Sequence, residues 1–464
     1  MKLHHLRVTA LSVLAVLATA PAALALDAND LAAKLIATYS YAMPADAKVS
    51  FNNGTVSGST VSFDGITFTD KDGTQSLPVK LQFNNVQETA DGSYTADSLS
   101  LPDVDYSADG NALSIKNILF KQIVVPAAAN GVIGATRVYG SASAGPIALT
   151  VEGAKVLTLD TVGIDNTFKP SQAAADLAEI DTTGSTGGLK FDLTSVKDAD
   201  TAAQAKMLGL ETVTAKLLEQ GSWSFADGHL DISEISVDAD NIGKLKFAMD
   251  LTGYTPTFLQ SLSDAGKSFA AQQEGGGASA SQAGIASLMQ AAQNLFLNSI
   301  SLRFDDASIT GKILDMMSGG APREAFVGAL VEGIGEQAGS DNSLPPEVVK
   351  LMQAATRAYL SDPHSIEVRL APKTPLGVLG LTGAVMAPTD LANQIGLQVL
   401  VNDKQITDAD TASESGPVAA PAGSTDMNGD AGSGNDDSDQ NATDGSDDSG
   451  DDSDTAGGHA KNTN

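Results

Sequence analysis

The chain has 464 residues, no cysteine, and a formal net charge of -30 from 57 acidic against 27 basic residues. The missing thiol excludes disulfides, thiolate nucleophiles, Fe–S ligation and Cys-zinc sites. The charge argues against nucleic acid, whose phosphates demand clustered Lys and Arg, and against anionic membrane surfaces.

Residues 1–25 read as a signal peptide. Lys2 and Arg7 precede an apolar run, Val8 to Ala20; Pro21 breaks it, and Ala23-Leu24-Ala25 is a small-x-small cleavage triplet. The run is shorter than the ~20 residues of a membrane span. Leu26 follows the cut instead of Cys, so no lipid attachment is expected there. The expected compartment is the periplasm, with secretion beyond it as the alternative, and no transmembrane segment is expected in the mature chain.

Residues 26–255 read as a helix followed by a long antiparallel meander. Asp30 is the expected N-cap of a helix from Leu31 to Met43, ended by Pro44. Apolar residues then alternate with polar ones: Val61 and Phe63, Ile66 and Phe68, Leu81 and Phe83, Leu113 and Ile115, Leu157 and Leu159, Val162 and Ile164. Asp-Gly turn signals at 64–65, 72–73, 91–92 and 109–110 separate the runs. Such strands bury one face and wet the other. Gly92-Ser93-Tyr94-Thr95-Ala96-Asp97 and Gly221-Ser222-Trp223-Ser224-Phe225-Ala226-Asp227 resemble each other; a duplication and a chance match of turn-rich strands both stay open.

Residues 256–361 turn mainly helical. Helices are expected over Thr257 to Gln273, from Ser281 or Gln282 to Phe296, after Pro322, and after Pro345-Pro346, with a strand over Ser299 to Phe304. Closing strands occupy 362–407, at Ser365 to Leu370 and Leu397 to Val401. Residues 408–464 are Asp, Ser, Gly, Asn and Ala with few large apolar side chains, and read as a disordered acidic tail. The fold class is α+β: a long curved antiparallel meander, an open groove or incomplete barrel, with a helical subdomain and that tail.

Chemistry is sparse. Of 5 histidines, His4 and His5 leave with the signal and His459 lies in the tail; His229 and His364 read as surface residues. Gly266-Lys267-Ser268 imitates the end of a phosphate loop, but Ser261 stands where its first Gly belongs. Ser141-Ala142-Ser143-Ala144-Gly145 lacks the first Gly of a nucleophile elbow. Asp305-Asp306 and Asp238 with Asp240 are carboxylate pairs that read as solvated turns. In the tail, Asp437, Asp439, Asn441, Asp444 and Asp448 imitate a calcium loop, but Ala442 replaces its Gly and the closing Glu is missing; diffuse, weak divalent-cation binding is the most expected of it. No catalytic, cofactor-binding or metal residues are assigned, and no cofactor is expected.

Ile300-Ser301-Leu302-Arg303-Phe304-Asp305-Asp306, Ile309-Thr310-Gly311-Lys312-Ile313-Leu314, Pro322-Arg323-Glu324 and Tyr359-Leu360-Ser361-Asp362-Pro363 together resemble a group of exported β-rich proteins of Gram-negative bacteria, alphaproteobacteria above all. In architecture alone the meander resembles AsmA-like envelope proteins, which implies an open β-groove; the retained membrane anchor typical of that family is not expected here.

The expected function is non-catalytic: an envelope protein holding an apolar, lipid-like ligand or a partner in a β-groove. Two alternatives are a structural or protein-interaction module using sheet edges and the tail, and a hydrolase working with Ser or carboxylates.

Overall fold

The computed structural model describes residues 26–40, 43, 47–70, 73–129, 131–170, 178–194, 198–273, 286, 289–290, 292–341, 345–377, 380 and 391–412. The expected signal peptide, residues 281–285, 287–288 and 291 of the expected helix from Ser281, and the tail beyond Ala412 with its calcium-like loop lie outside them; the expected end of that helix is turn at 293–294, and Phe296 begins a strand.

Helix α1 (Ala28–Tyr39) starts earlier than expected. Asp27 is its N-cap, accepting from the backbone N–H groups of Asn29 and Asp30. Both aspartates suit a cap; Asp30 is instead drawn to the sheet, where it meets Tyr94.

The strands, in order, are β1 (Lys48–Asn52), β2 (Thr55–Ser57), β3 (Thr60–Phe63), β4 (Gly65–Asp70), β5 (Gly73–Leu77), β6 (Leu81–Asn84), β7 (Gln87–Glu88), β8 (Tyr94–Ser100), β9 (Val104–Ala108), β10 (Asn111–Ile115), β11 (Leu119–Val125), β12 (Ser141–Ala144) and β13 (Ile147–Val151). Then come β14 (Ala154–Leu159), β15 (Thr161–Pro170), β16 (Ala178–Gly187), β17 (Leu189–Asp192), β18 (Thr212–Ser224), β19 (Leu230–Ala239), β20 (Gly243–Thr252), β21 (Phe296–Asp306), β22 (Ser365–Leu370), β23 (Leu376–Gly377), β24 (Leu397–Val401) and β25 (Lys404–Gln405). Between them lie α2 (Gly131–Thr136), α3 (Ala199–Leu208), α4 (Pro256–Gln273), α5 (Ile309–Met317), α6 (Arg323–Asp341), α7 (Pro346–Ser361) and α8 (Leu391–Gln394), and α9 (Asp408–Ala412) follows β25. The short helices α2 and α3 interrupt the expected meander. Helix α9 occupies the start of the expected tail, where Thr407 donates through N and Oγ1 to Asp410 Oδ2.

Strands β1, β4 and β5 form a small sheet of their own. The remaining strands form one antiparallel sheet in which neighbours in sequence are neighbours in space. Strands β8/β9, β10/β11, β12/β13, β14/β15 and β16/β17 are the two halves of five bent strands. One half pairs in the order β8–β11–β12–β15–β16, the other in the order β9–β10–β13–β14–β17. Both halves end on β18, which runs straight past the bend and carries β19 on its other edge. The order continues β19–β20–β21–β22–β24–β25, and β2–β3–β6 extend the other end to β8. Among the described residues no pairing joins the first strands to the last, so the sheet is open and not a closed barrel. The closing strands 362–407 thus belong to the same meander, and α4 to α7 are insertions into it.

A crease crosses the five bent strands. Asn117 and Gly188 take left-handed backbone there (φ 52° and 66°), and Gly145 has φ 140°. Such residues kink a strand as bulges do. Lys116 N–H donates to Pro146 O (3.1 Å), Gly145 N–H to Lys116 O (2.8 Å) and Asp160 N–H to Gly187 O (3.0 Å), so the ladder is stitched through the bend.

The two segments compared as a possible duplication take different structures. Tyr94, Ala96 and Asp97 lie within β8, whereas Trp223 is near the end of β18 and Ala226-Asp227 lies in the turn that follows. The main core lies under α1, where Leu31 is buried with Val61, Phe63, Leu81, Phe83, Ile123 and Val125. A second core joins Ala354, Ala355 and Tyr359 of α7 to Val399 and Val401 of β24.

Candidate functional site: an apolar groove across the sheet

Directly opposed residues of an antiparallel sheet share a face. One such file runs Phe83, Leu99, Phe120, Ala142, Ile164, Gly184, Glu219, Ile235, Phe247, Leu302, Val368 and Val399. A parallel file carries Val237, Leu245, Phe304, Ile366 and Val401. On the unbent β18 the period of two puts Val213, Ala215, Leu217 and Glu219 on this face together. Past the crease the face stays apolar, because Leu159 and Val162, three apart, flank the bend and replace the usual spacing of two.

Helices cover this face at its margins. Helix α1 lies over Phe83, with Leu99 and Phe120 packed at the edge of that core. Helix α7 lies over Val399 and Val401, with Phe304 and Ile366 against it. At one end of the strands, Ile133 of α2 packs with Phe168, Ile180 and Trp223. The Trp223 indole N–H donates to Tyr254 O (2.7 Å), and Tyr254 stacks toward Phe258 of α4. At the other end, Leu210 and Ile242 pack on Leu189, Val213 and Ala215. There the Lys312 ammonium of α5 donates to Leu208 O (3.2 Å), and Thr310 Oγ1 meets the Tyr359 hydroxyl (2.8 Å), tying α3, α5 and α7 together.

Among the described residues no helix covers the centre of the face. Ile235, Val237, Leu245, Leu302 and Val368 are exposed, Leu302 by 50%. Beside them is a cavity of about 490 Å³ lined by Ile118, Phe120, Ala144, Val162, Ile164, Leu217, Glu219, Ile235 and Val237, among others. From β12 to β21 the open stretch spans six strand spacings, about 29 Å.

The opposite face is charged. Lys216, Asp238, Lys244 and Asp305 stand in register with alternating sign. Lys244 Nζ approaches Glu234 Oε1 at 2.6 Å and Ser236 Oγ donates to the same atom at 2.7 Å. These bonds hold the Glu234 carboxyl down at about 2, from an ordinary 4.5. Arg303 donates to Asp305 (2.8 Å) and Asp403 (2.7 Å).

The residues weighed for chemistry do not converge. His229 Nε2 lies 3.0 Å from Asp250 Oδ1 beside a turn, and His364 pairs with Asp362 on the surface. Gly266-Lys267-Ser268 is plain helix in α4, where Ser268 Oγ donates one turn back to Asp264 O. Ser141 to Ala144 form β12, so Ala142 and Ala144 are groove floor and no elbow forms. Asp305 serves Arg303, whereas Asp306 accepts from Ser308 N–H and Thr310 N–H at the start of α5. Among the described residues, no three His, Asp or Glu gather as a metal site, and no helix is long and apolar enough to cross a membrane.

Glu219 is the groove residue that pattern reading missed. Its signal was present: it interrupts the odd-numbered series Val213, Ala215, Leu217, where alternation calls for an apolar side chain.

A protein-family profile described as "Uncharacterized protein" matches residues 236–402, from within β19 to the turn after β24. No curated protein matches the chain.

Proposed function

We propose that this is an exported, periplasmic envelope protein that holds an elongated apolar, lipid-like ligand in the groove and performs no chemistry on it. The observation that carries this reading is the uncovered centre of an apolar face whose margins are roofed by helices. Exposed apolar surface of this extent marks binding sites, and the cavity of about 490 Å³ is ordinary for a small-molecule site. Protein isolated from its native envelope is expected to carry a co-purifying apolar species in native mass spectrometry, depleted in an Ile235→Glu variant of unchanged fold. Ligand-free wild-type protein would overturn the reading. Fractionation and N-terminal sequencing starting at Leu26 test the compartment.

One observation favours a second reading, an interaction module. Among the described residues strand β9 pairs only with β10, and its Tyr106 is 62% exposed. A free edge of this kind can accept a partner strand. A photo-crosslinker at position 106 is expected to trap one discrete protein if this reading holds.

A further inference from the structure

We infer that the groove selects an apolar ligand bearing a cationic, hydrogen-bond-donating head, and that Glu219 seats this head. The inference rests on the groove reading above and names the class of its ligand.

Glu219 is the one ionisable residue among those lining the cavity. On its own face its cross-strand neighbours are Gly184 and Ile235, and its strand neighbours are Leu217 and Gly221. The nearby cations Lys216, Lys244 and Lys246 belong to the opposite face, where Glu234 engages Lys244 and Lys246 and Lys216 stands opposite Asp238 in the register. Among the described residues Glu219 has no ion-pair or hydrogen-bond partner.

Gly184 leaves space for this arrangement. A Cβ there would come within 3.2 Å of both Cβ and Oε2 of Glu219. The carboxylate therefore lies over a bare stretch of backbone, on the floor of an apolar trough.

An apolar chain settling into the trough displaces water from the carboxylate. A desolvated charge without a partner is costly. A cationic N–H donor on the ligand removes that cost, a neutral hydroxyl removes part of it, and an anionic head adds repulsion. The same repulsion disfavours the chain's own tail as occupant, since residues 413–464 hold twelve acidic side chains and one Lys.

The test uses the full chain and displacement of a fluorescent apolar probe by tetradecylamine, tetradecanol or tetradecanoate, at neutral pH and below micelle formation. The amine is expected to bind about tenfold tighter than the alcohol, and the carboxylate weakest. Glu219→Gln should bring the amine level with the alcohol and leave the alcohol bound at least as tightly as by the wild type. Gly184→Ala, which crowds the carboxylate, should shrink the preference without abolishing alcohol binding. Equal binding of amine and alcohol by the wild type, or a preference that survives Glu219→Gln, overturns this inference and leaves the groove reading standing. If none of the three amphiphiles displaces the probe, both readings fall.

Discussion

The hydroxyl of Tyr94 donates to Oδ2 of Asp30 across 2.8 Å, joining the first helix to the sheet. Lys34, one turn along α1, bonds the same carboxylate, donates to Gly92 O (2.8 Å) and lies over the Tyr94 ring. The Lys34 and Tyr94 bonds hold the Asp30 carboxyl below the usual carboxylate range, and burial, then Asp30 itself, pushes the Tyr94 hydroxyl up. Tyr94→Phe keeps the ring and removes the bond. It is expected to lower unfolding stability by about 1–2 kcal/mol in urea titration. A change near zero would mean that the bond adds nothing to the docking that Leu31 and Lys34 already provide.

The charged face predicts an acid limb. The folded Glu234 carboxyl sits at about 2, below its unfolded 4.5. A depressed carboxylate contributes stability that is full above the unfolded value and is lost as pH falls through the folded one. Wild type and Glu234→Gln should therefore differ most near neutral pH and converge as pH drops toward 2, in urea midpoints taken across that range. A constant gap would refute the assignment.

Position 145 predicts how closely the crease is packed. A Cβ on Gly145 would fall 2.2 Å from Asp160 O, with φ at 140°, whereas Gly153, at φ 86°, has nothing within 4 Å. Gly145→Ala is expected to cost more than about 3 kcal/mol, from collision and strain together, and Gly153→Ala about 1 kcal/mol from strain alone. Equal losses in thermal melts would show that the bend can open to admit a methyl group.

Stability and binding should separate within the apolar file. Leu302 is half exposed and Phe83 is 1% exposed. Leu302→Ser is expected to move stability by no more than about 0.5 kcal/mol while weakening displacement of the apolar probe. Phe83→Ala should cost about 3–5 kcal/mol. A large stability loss at Leu302 would place it in a core and remove it from the groove.

Much of the meander was readable because alternation is local. Val61 with Phe63 and Leu81 with Phe83 announce strands without help from the rest of the chain. The helices after Pro256, Pro322 and Pro345 were readable from proline position and the switch to a helical period. The crease was not, because Leu159 and Val162 look like a slip in alternation until the register shows the same slip on neighbouring strands. Choosing between Asp27 and Asp30 as cap required Tyr94, 64 residues from Asp30 in the chain. Glu219 was visible as an exception, but exceptions on exposed strands are common, and its meaning depends on the apolar company that the register assembles around it.

The sequential pairing of the strands bears on how the chain reaches this structure. Each hairpin can form once its second strand is available, and each new strand docks on an edge already present, so loop-closure costs stay low wherever no helical insertion intervenes. Short helices interrupt the β11-to-β12, β17-to-β18 and β23-to-β24 connections, and the longest insertions are at the β20-to-β21 and β21-to-β22 joins, which must wait for α4 and for α5 to α7. Assembly from the N-terminus therefore proceeds largely by accretion as far as β20, and the last strands add to its edge as a late, slower step.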